Sequence, residues 1–225
     1  MNEIYEEKIN DLKFINFSTD FMFKTILTSR RGRKFLKALL ENILHIKIDS
    51  EIIIKNNELN KRFKNEKSKR TDILVEVNNY SINLEMNSEY SHQLANKNGT
   101  YLSYLHSIRY KPGESYQNDK IVFQINFDLY DYFNKNQLVY ECKLMDTSYY
   151  LVEDISYVKY HINVAYFKDK SYNVSELNKL ERLVGIIGSS SFKEIDELSL
   201  GDRVMEETVS FMKGITSEEW AQGIY

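Results

Sequence analysis

Between Thr71 and Asn87 polar and apolar residues largely alternate, the exceptions being Thr71-Asp72, Ile73-Leu74-Val75 and the pair Asn78-Asn79. An alternation of period two marks a strand with one buried face. Asn tolerates the positive φ that a two-residue hairpin turn requires. The pattern therefore predicts a β-hairpin. With Val77 paired to Tyr80, one face carries Ile73, Val75, Val77, Tyr80, Ile82, Leu84 and Met86. The other face carries Asp72, Leu74, Glu76, Ser81, Asn83, Glu85 and Asn87, and the same register sets Asp72 opposite Glu85.

Periods of three and four take over on either side. Ser18 and Thr19 are good caps for a helix holding Phe21, Phe23, Lys24 and Ile26, and 33–44 reads as a second helix. A short strand is expected at 51–54 and a helix over 88–110, stopped by Lys111-Pro112-Gly113. Strands are predicted at 121–127, where Gln124 interrupts an apolar run, and at 138–144, 149–152 and 158–167. Helical spacing returns at 175–187, 192–198 and 202–213. Helices, a strand-rich middle with one embedded helix, then helices again predict an α/β fold, a mixed sheet covered on both faces.

Composition narrows the class. The 225 residues are 42% hydrophobic and 28% charged, the balance of a soluble globular protein. No run of 18 apolar residues exists, so no membrane helix is expected, and the polar, acidic start does not read as a secretory signal. Cys142 is alone and the four His are scattered, which argues against an intrachain disulfide and against zinc. A cytoplasmic location is the expectation. The net charge of −3 does not favour nucleic acid, but the distribution does. Lys61, Arg62, Lys64, Lys67, Lys69 and Arg70 crowd the stretch just before Asp72 with only Glu66 among them, and Arg30, Arg31, Arg33, Lys34 and Lys37 form a second cluster. Each is either a solvated face or a set of phosphate contacts. The 17 Tyr carry no specific reading at this level.

Directly opposed strand residues hold their Cβ atoms about 4.5–5.5 Å apart. Two carboxylates that close repel unless a cation lies between them, and Mg²⁺, a hard ion that takes one or two carboxylates and keeps several waters, suits the pair. The alternative is an ordinary solvated polar face.

The order of these elements resembles the restriction-endonuclease-like core of PD-(D/E)XK nucleases, and more closely the PD-(D/E)XK family transposases, or recombination-promoting nucleases. The likeness rests on Thr19-Asp20-Phe21-Met22-Phe23-Lys24, Lys69-Arg70-Thr71-Asp72-Ile73-Leu74, Asn83-Leu84-Glu85-Met86-Asn87, Pro112-Gly113-Glu114-Ser115-Tyr116, the strand around Gln124 and Asp202-Arg203-Val204-Met205-Glu206-Glu207. It implies a mixed β-sheet nuclease core flanked by helices over 1–170, with a helical C-terminal region over 171–225. It also implies Mg²⁺- or Mn²⁺-dependent hydrolysis of DNA phosphodiester bonds, with a homodimer expected by analogy. Asp72 matches the family's metal-binding aspartate and Glu85 the acid of its D/E-x-K element. Asp20 matches an acidic position on the first helix, although an acid in a first helical turn is also explained by the macrodipole. Asn87 departs from the pattern, which has Lys or Gln there. Asn can hydrogen-bond a water but brings no charge. Gln124, otherwise a core amide, and Lys97, otherwise a solvated lysine, are the residues that could reach inward and compensate. A nuclease fold that binds nucleic acid or a protein without cutting is the alternative.

Overall fold

Asn78 takes φ 50° and turns the chain between β4 (Ile73–Val77) and β5 (Tyr80–Asn87), which pair antiparallel with Val77 opposite Tyr80 and Ile73 opposite Leu84. The hairpin and its register are those expected from the alternation. The computed structural model describes residues 14–55, 58–59, 69–116, 121–153, 156–168 and 170–215. Its backbone divides into two units, one taking in Ile48–Asn163 and the other Met1–Lys47 with Val164–Tyr225.

The hairpin belongs to the first of these. Before it come β1 (Ile53–Lys55), β2 (Glu58–Leu59) and β3 (Lys69–Arg70); after it come α3 (Leu94–Ile108), β6 (Val122–Asp128), β7 (Val139–Cys142) and β8 (Tyr157–Asn163). Six strands form a mixed sheet in the order β1-β4-β5-β6-β8-β7, while β2 and β3 pair as a separate ribbon. Strand β5 runs antiparallel to β4 but parallel to β6, and β6 runs parallel to β8. The parallel register aligns three polar rows across the sheet: Asn83, Gln124 and Lys159; Glu85, Asn126 and His161; Asn87, Asp128 and Asn163. The opposite face is apolar, with Ile82, Leu84, Ile125, Phe127 and Ile162 fully buried. Helix α3 covers the polar face. Its Leu102 and Leu105 pack on Leu74 and Val122 with Tyr157 alongside, closing one end of that face with hydrocarbon.

In the other unit, α1 (Asp20–Thr28) begins at Thr19, whose hydroxyl accepts from the Met22 amide at 3.3 Å. Helix α2 (Arg33–Leu44) has the boundaries that its spacing predicts and buries Phe35, Leu36, Leu39, Leu40 and Ile43. Helices α4 (Lys179–Gly188), α5 (Phe192–Ser199) and α6 (Arg203–Gly214) start at Asn178, Ser191 and Asp202, each of which accepts a backbone hydrogen bond from the first turn.

Four elements differ from expectation by more than a residue or two at their ends. The helix expected over 175–187 begins at Lys179, after a separate 3₁₀ turn at Val174–Glu176 and an extended Leu177-Asn178. Helix α3 starts at Leu94 rather than at 88, because 88–93 is polar and exposed and Leu94 is the first residue with a core to enter. Strand β8 stops at Asn163; Val164–Phe167, apolar enough to read as its continuation, winds into a 3₁₀ turn. The 149–152 segment is no strand. It lies past a turn capped by Asp146 and makes a single bridge, Met145 to Val152, with its side chains exposed.

Gly32, which precedes α2, lies so close to α1 that a Cβ there would stand 1.9 Å from the Ile26 carbonyl oxygen, whereas a Cβ at Gly99 on α3 would meet nothing within 4 Å. Gly32→Ala is expected to destabilise the protein by at least ~1–3 kcal/mol through forced backbone movement. Gly99→Ala should stabilise it by ~0.5–1 kcal/mol through helix propensity. Thermal melts of both variants check the contrast in sign.

Candidate active site

Asp72 sits one residue before β4 and Glu85 near the end of β5, and they meet as the register requires. The Asp72 amide donates to Glu85 Oε1 at 3.3 Å, and Asp72 Oδ2 accepts from the Met86 amide at 2.9 Å. Each carboxylate is thus tied to the other strand's backbone, so their separation is set by the hairpin itself. Glu85 is 1% exposed; Asp72 is half-buried, so solvent approaches the pair from the Asp72 side.

A buried carboxylate has to replace the water it loses. Glu85 Oε1 also accepts from Asn83 Nδ2 at 3.2 Å, and Oε2 accepts from Lys97 Nζ at 2.8 Å. Lys97 is on the first turn of α3 and keeps 39% of its side chain exposed. It therefore reaches inward from a partly solvated position. Burial, and after it the charge of Asp72, pushes the Glu85 carboxyl above the ordinary range; Lys97 and Asn83 recover only part of this. Burial works against the Lys97 ammonium too, but Glu85 outweighs it and the lysine's pKa is raised. The two directions agree, because Glu85 gives up nearly all its water and Lys97 much less.

Amides extend this arrangement across the sheet. Asn83 Nδ2 donates to Gln124 Oε1 at 2.7 Å, Gln124 Nε2 to Asn126 Oδ1 at 3.0 Å, and Asn126 Nδ2 to the Tyr160 carbonyl at 3.0 Å. Asn98, one turn along α3, donates to Asn126 Oδ1 at 2.9 Å. Gln124 is thus a fully buried link in a chain of amides that orients Asn83 beneath Glu85. Asn87 turns elsewhere: its Nδ2 donates to Asp128 Oδ1 at 2.8 Å, and Asp128 Oδ2 lies 2.7 Å from His161 Nδ1. Asp128 and His161 are each 1% exposed. This second acid, its imidazole and Asn98 have no forerunner in the sequence reading. The one signal was the period-two continuation of Gln124 through Asn126 to Asp128.

The other expected site residues are placed as follows. Asp20 is in the other unit, in the first turn of α1, exposed and 2.6 Å from Lys24. Lys61, Arg62, Lys64 and Lys67 lie outside the described residues; Lys69 and Arg70 form β3, paired with β2.

A matching family model covers residues 17–225, and its description is PD-(D/E)XK nuclease family transposase. The chain belongs to that family. The mixed six-stranded sheet with its helices is consistent with the restriction-endonuclease-like fold of these nucleases. No curated protein and no solved structure matches the chain. For a PD-(D/E)XK protein the donor set is one of hard oxygens. Among the described residues no group of three or more His, Cys, Asp or Glu gathers as metal ligands. Two carboxylates with water in the remaining positions nonetheless suit Mg²⁺. Asn83 presents its Nδ2, not its oxygen, to Glu85, and its buried Oδ1 has no hydrogen-bond partner among the described residues.

The raised Glu85 pKa fixes the sign of one pH effect. Protons are held more tightly by the folded than by the unfolded carboxyl, so stability falls as pH rises from the unfolded value through the folded one. Glu85→Gln should therefore raise Tm at pH 7 without added metal, and the gain should vanish as pH falls to the ordinary carboxyl range. Melts across pH check both the gain and its loss.

Proposed function

We propose that this PD-(D/E)XK family protein is a divalent-metal-dependent DNA endonuclease, hydrolysing phosphodiester bonds in transposition or recombination. The reading rests on one observation above all: Asp72 and Glu85 are bound to each other's strands in a single hairpin, with the Lys97 ammonium 2.8 Å from Glu85.

Asp72 and Glu85 would hold Mg²⁺ or Mn²⁺, which would supply polarisation of the phosphoryl oxygen and a bound water of lowered pKa. The protein's own part is positioning and charge. Lys97 brings the cation that position 87 lacks. It enters from α3 rather than from β5, and it would orient the attacking water and stabilise negative charge growing on the phosphoryl oxygens. Gln124 acts through Asn83 and is a positioning residue, holding the amide that sets the Glu85 rotamer. Asn87, bonded to Asp128, ties the end of β5 to β6. Asp20 is accounted for as a first-turn acid paired with Lys24. Lys61, Arg62, Lys64, Lys67, Lys69 and Arg70 would contact phosphates without reading sequence.

A second reading, a nuclease fold that binds without cutting, is favoured by Asn87, which turns to Asp128 and leaves position 87 without a charge. Cleavage assays separate the two. The wild type should nick plasmid DNA in Mg²⁺ or Mn²⁺ and stop when EDTA is added. Asp72→Ala, Glu85→Ala and Lys97→Met should each lower the rate by roughly a hundredfold or more, the scale of losing one transition-state contact. Because Glu85 must ionise to take a metal, activity should climb as pH rises through its raised pKa. Cutting that survives Asp72→Ala would sink the assignment, and metal binding without cutting would establish the second reading.

DNA affinity should fall with salt, log K dropping roughly 0.9 per phosphate neutralised. Replacing the six basic residues of 61–70 by Ala should flatten that slope in a binding titration; an unchanged slope would remove them from the interface.

A further inference from the structure

Beyond the Asn87 end of β5, the β5–α3 and β6–β7 connections bring Tyr90, Tyr130, Tyr132 and Phe133 together. Tyr90 meets the rings of Tyr130 and Tyr132 edge-on, both at 5.9 Å, and Tyr132 touches Phe133 at 4.8 Å. The cluster is anchored from below. The Tyr132 ring stacks on the His161 imidazole at 3.8 Å, and His161 is held by Asp128, which also accepts from Asn87. The β6–β7 loop is pinned by Asp131, which accepts from the Asn136 amide and the Tyr140 hydroxyl, both at 2.5 Å. The rings are therefore set before any ligand arrives. Even so, Tyr90 is 52% and Phe133 44% exposed, which leaves apolar ring surface in water.

We infer that these rings are a stacking platform for unpaired nucleobases, so that the substrate is single-stranded or locally unpaired DNA. The inference rests on the nuclease reading of Asp72 and Glu85. Three observations support it. The platform is continuous with that site in one unit, because Asn87 is two residues beyond Glu85 on the same face and is bonded to Asp128 at the root of the cluster. A base in a duplex hides both faces against its neighbours, whereas an unpaired base offers a face that any aromatic ring can take, whatever the sequence. A chain of net charge −3 also gains from a source of affinity other than phosphate attraction, and stacking is one.

The test is binding measured by fluorescence anisotropy in EDTA, so that nothing is cut, on three probes of equal length: an oligothymidylate, an abasic strand and a duplex. The wild type should bind the oligothymidylate more tightly than either of the others. Tyr90→Ala should weaken that binding roughly tenfold, the order expected for one lost stacking contact. Tyr90→Phe should retain it, and Phe133→Ala should cause a smaller loss. Equal affinity for the abasic and base-bearing strands would overturn the proposal, as would a Tyr90→Ala, Phe133→Ala double variant that binds like wild type. Plasmid nicking in Mg²⁺, run in parallel, keeps the two readings apart. Cutting without base preference removes the platform alone; base preference without cutting removes the nuclease reading and leaves the platform standing.

Discussion

Glu85 is a carboxyl in the interior of a sheet, and much of the surrounding structure is arranged around it. An isolated ionised carboxylate in such a place would simply take up a proton. Here the Asp72 amide, the Asn83 side chain and the Lys97 ammonium replace the lost water, and Gln124, Asn126 and Asn98 hold Asn83 in turn. The compensation is incomplete, since the carboxyl remains above its ordinary pKa. On the proposed reading, a divalent cation would make up that shortfall. A carboxylate fully satisfied by protein donors has nothing left to gain from a metal, and one left bare would be neutral.

What could be read from the sequence was local. The hairpin followed from period two and from an Asn-Asn pair, both contained within 17 residues, and its register carried Asp72 to Glu85. Helix α2 was equally plain because its apolar stripe has no interruption. Contacts made across parallel strands leave no such trace. Asp128 meets Asn87 and His161 because β6 lies between β5 and β8, an order that no single segment encodes. Lys97 is an intermediate case: its presence on the following helix was evident, but its aim depends on how α3 crosses the sheet. The 149–152 run was misleading for another reason. Its β-rich, aromatic composition is that of a strand, but it follows a tight turn and makes only one bridge.

The departure at position 87 also looks different in three dimensions. In the sequence Asn87 is a missing lysine. In the structure it is a well-partnered amide that joins two strands, and the cation stands on a neighbouring helix at the same carboxylate. A charge is useful to a reacting phosphate by virtue of where it is, not of the strand that delivers it. Exchange of a point charge between a strand and a helix is therefore compatible with one chemistry.

The sheet unit is continuous in the chain, while the helical unit is assembled from its two flanks. Synthesis from the N-terminus gives these a different timing. By the time Asn163 has left the ribosome, every strand of the six-stranded sheet and α3 are available, and the paired acids can form. Helices α1 and α2, although made before the sheet, must wait for α4 and α6, against which α2 packs. Two helices that precede the sheet in the chain are thus among the last elements to find their partners. For that interval the apolar faces of α1 and α2, with Phe23, Phe35 and Leu39, lack the cover that they have in the finished fold.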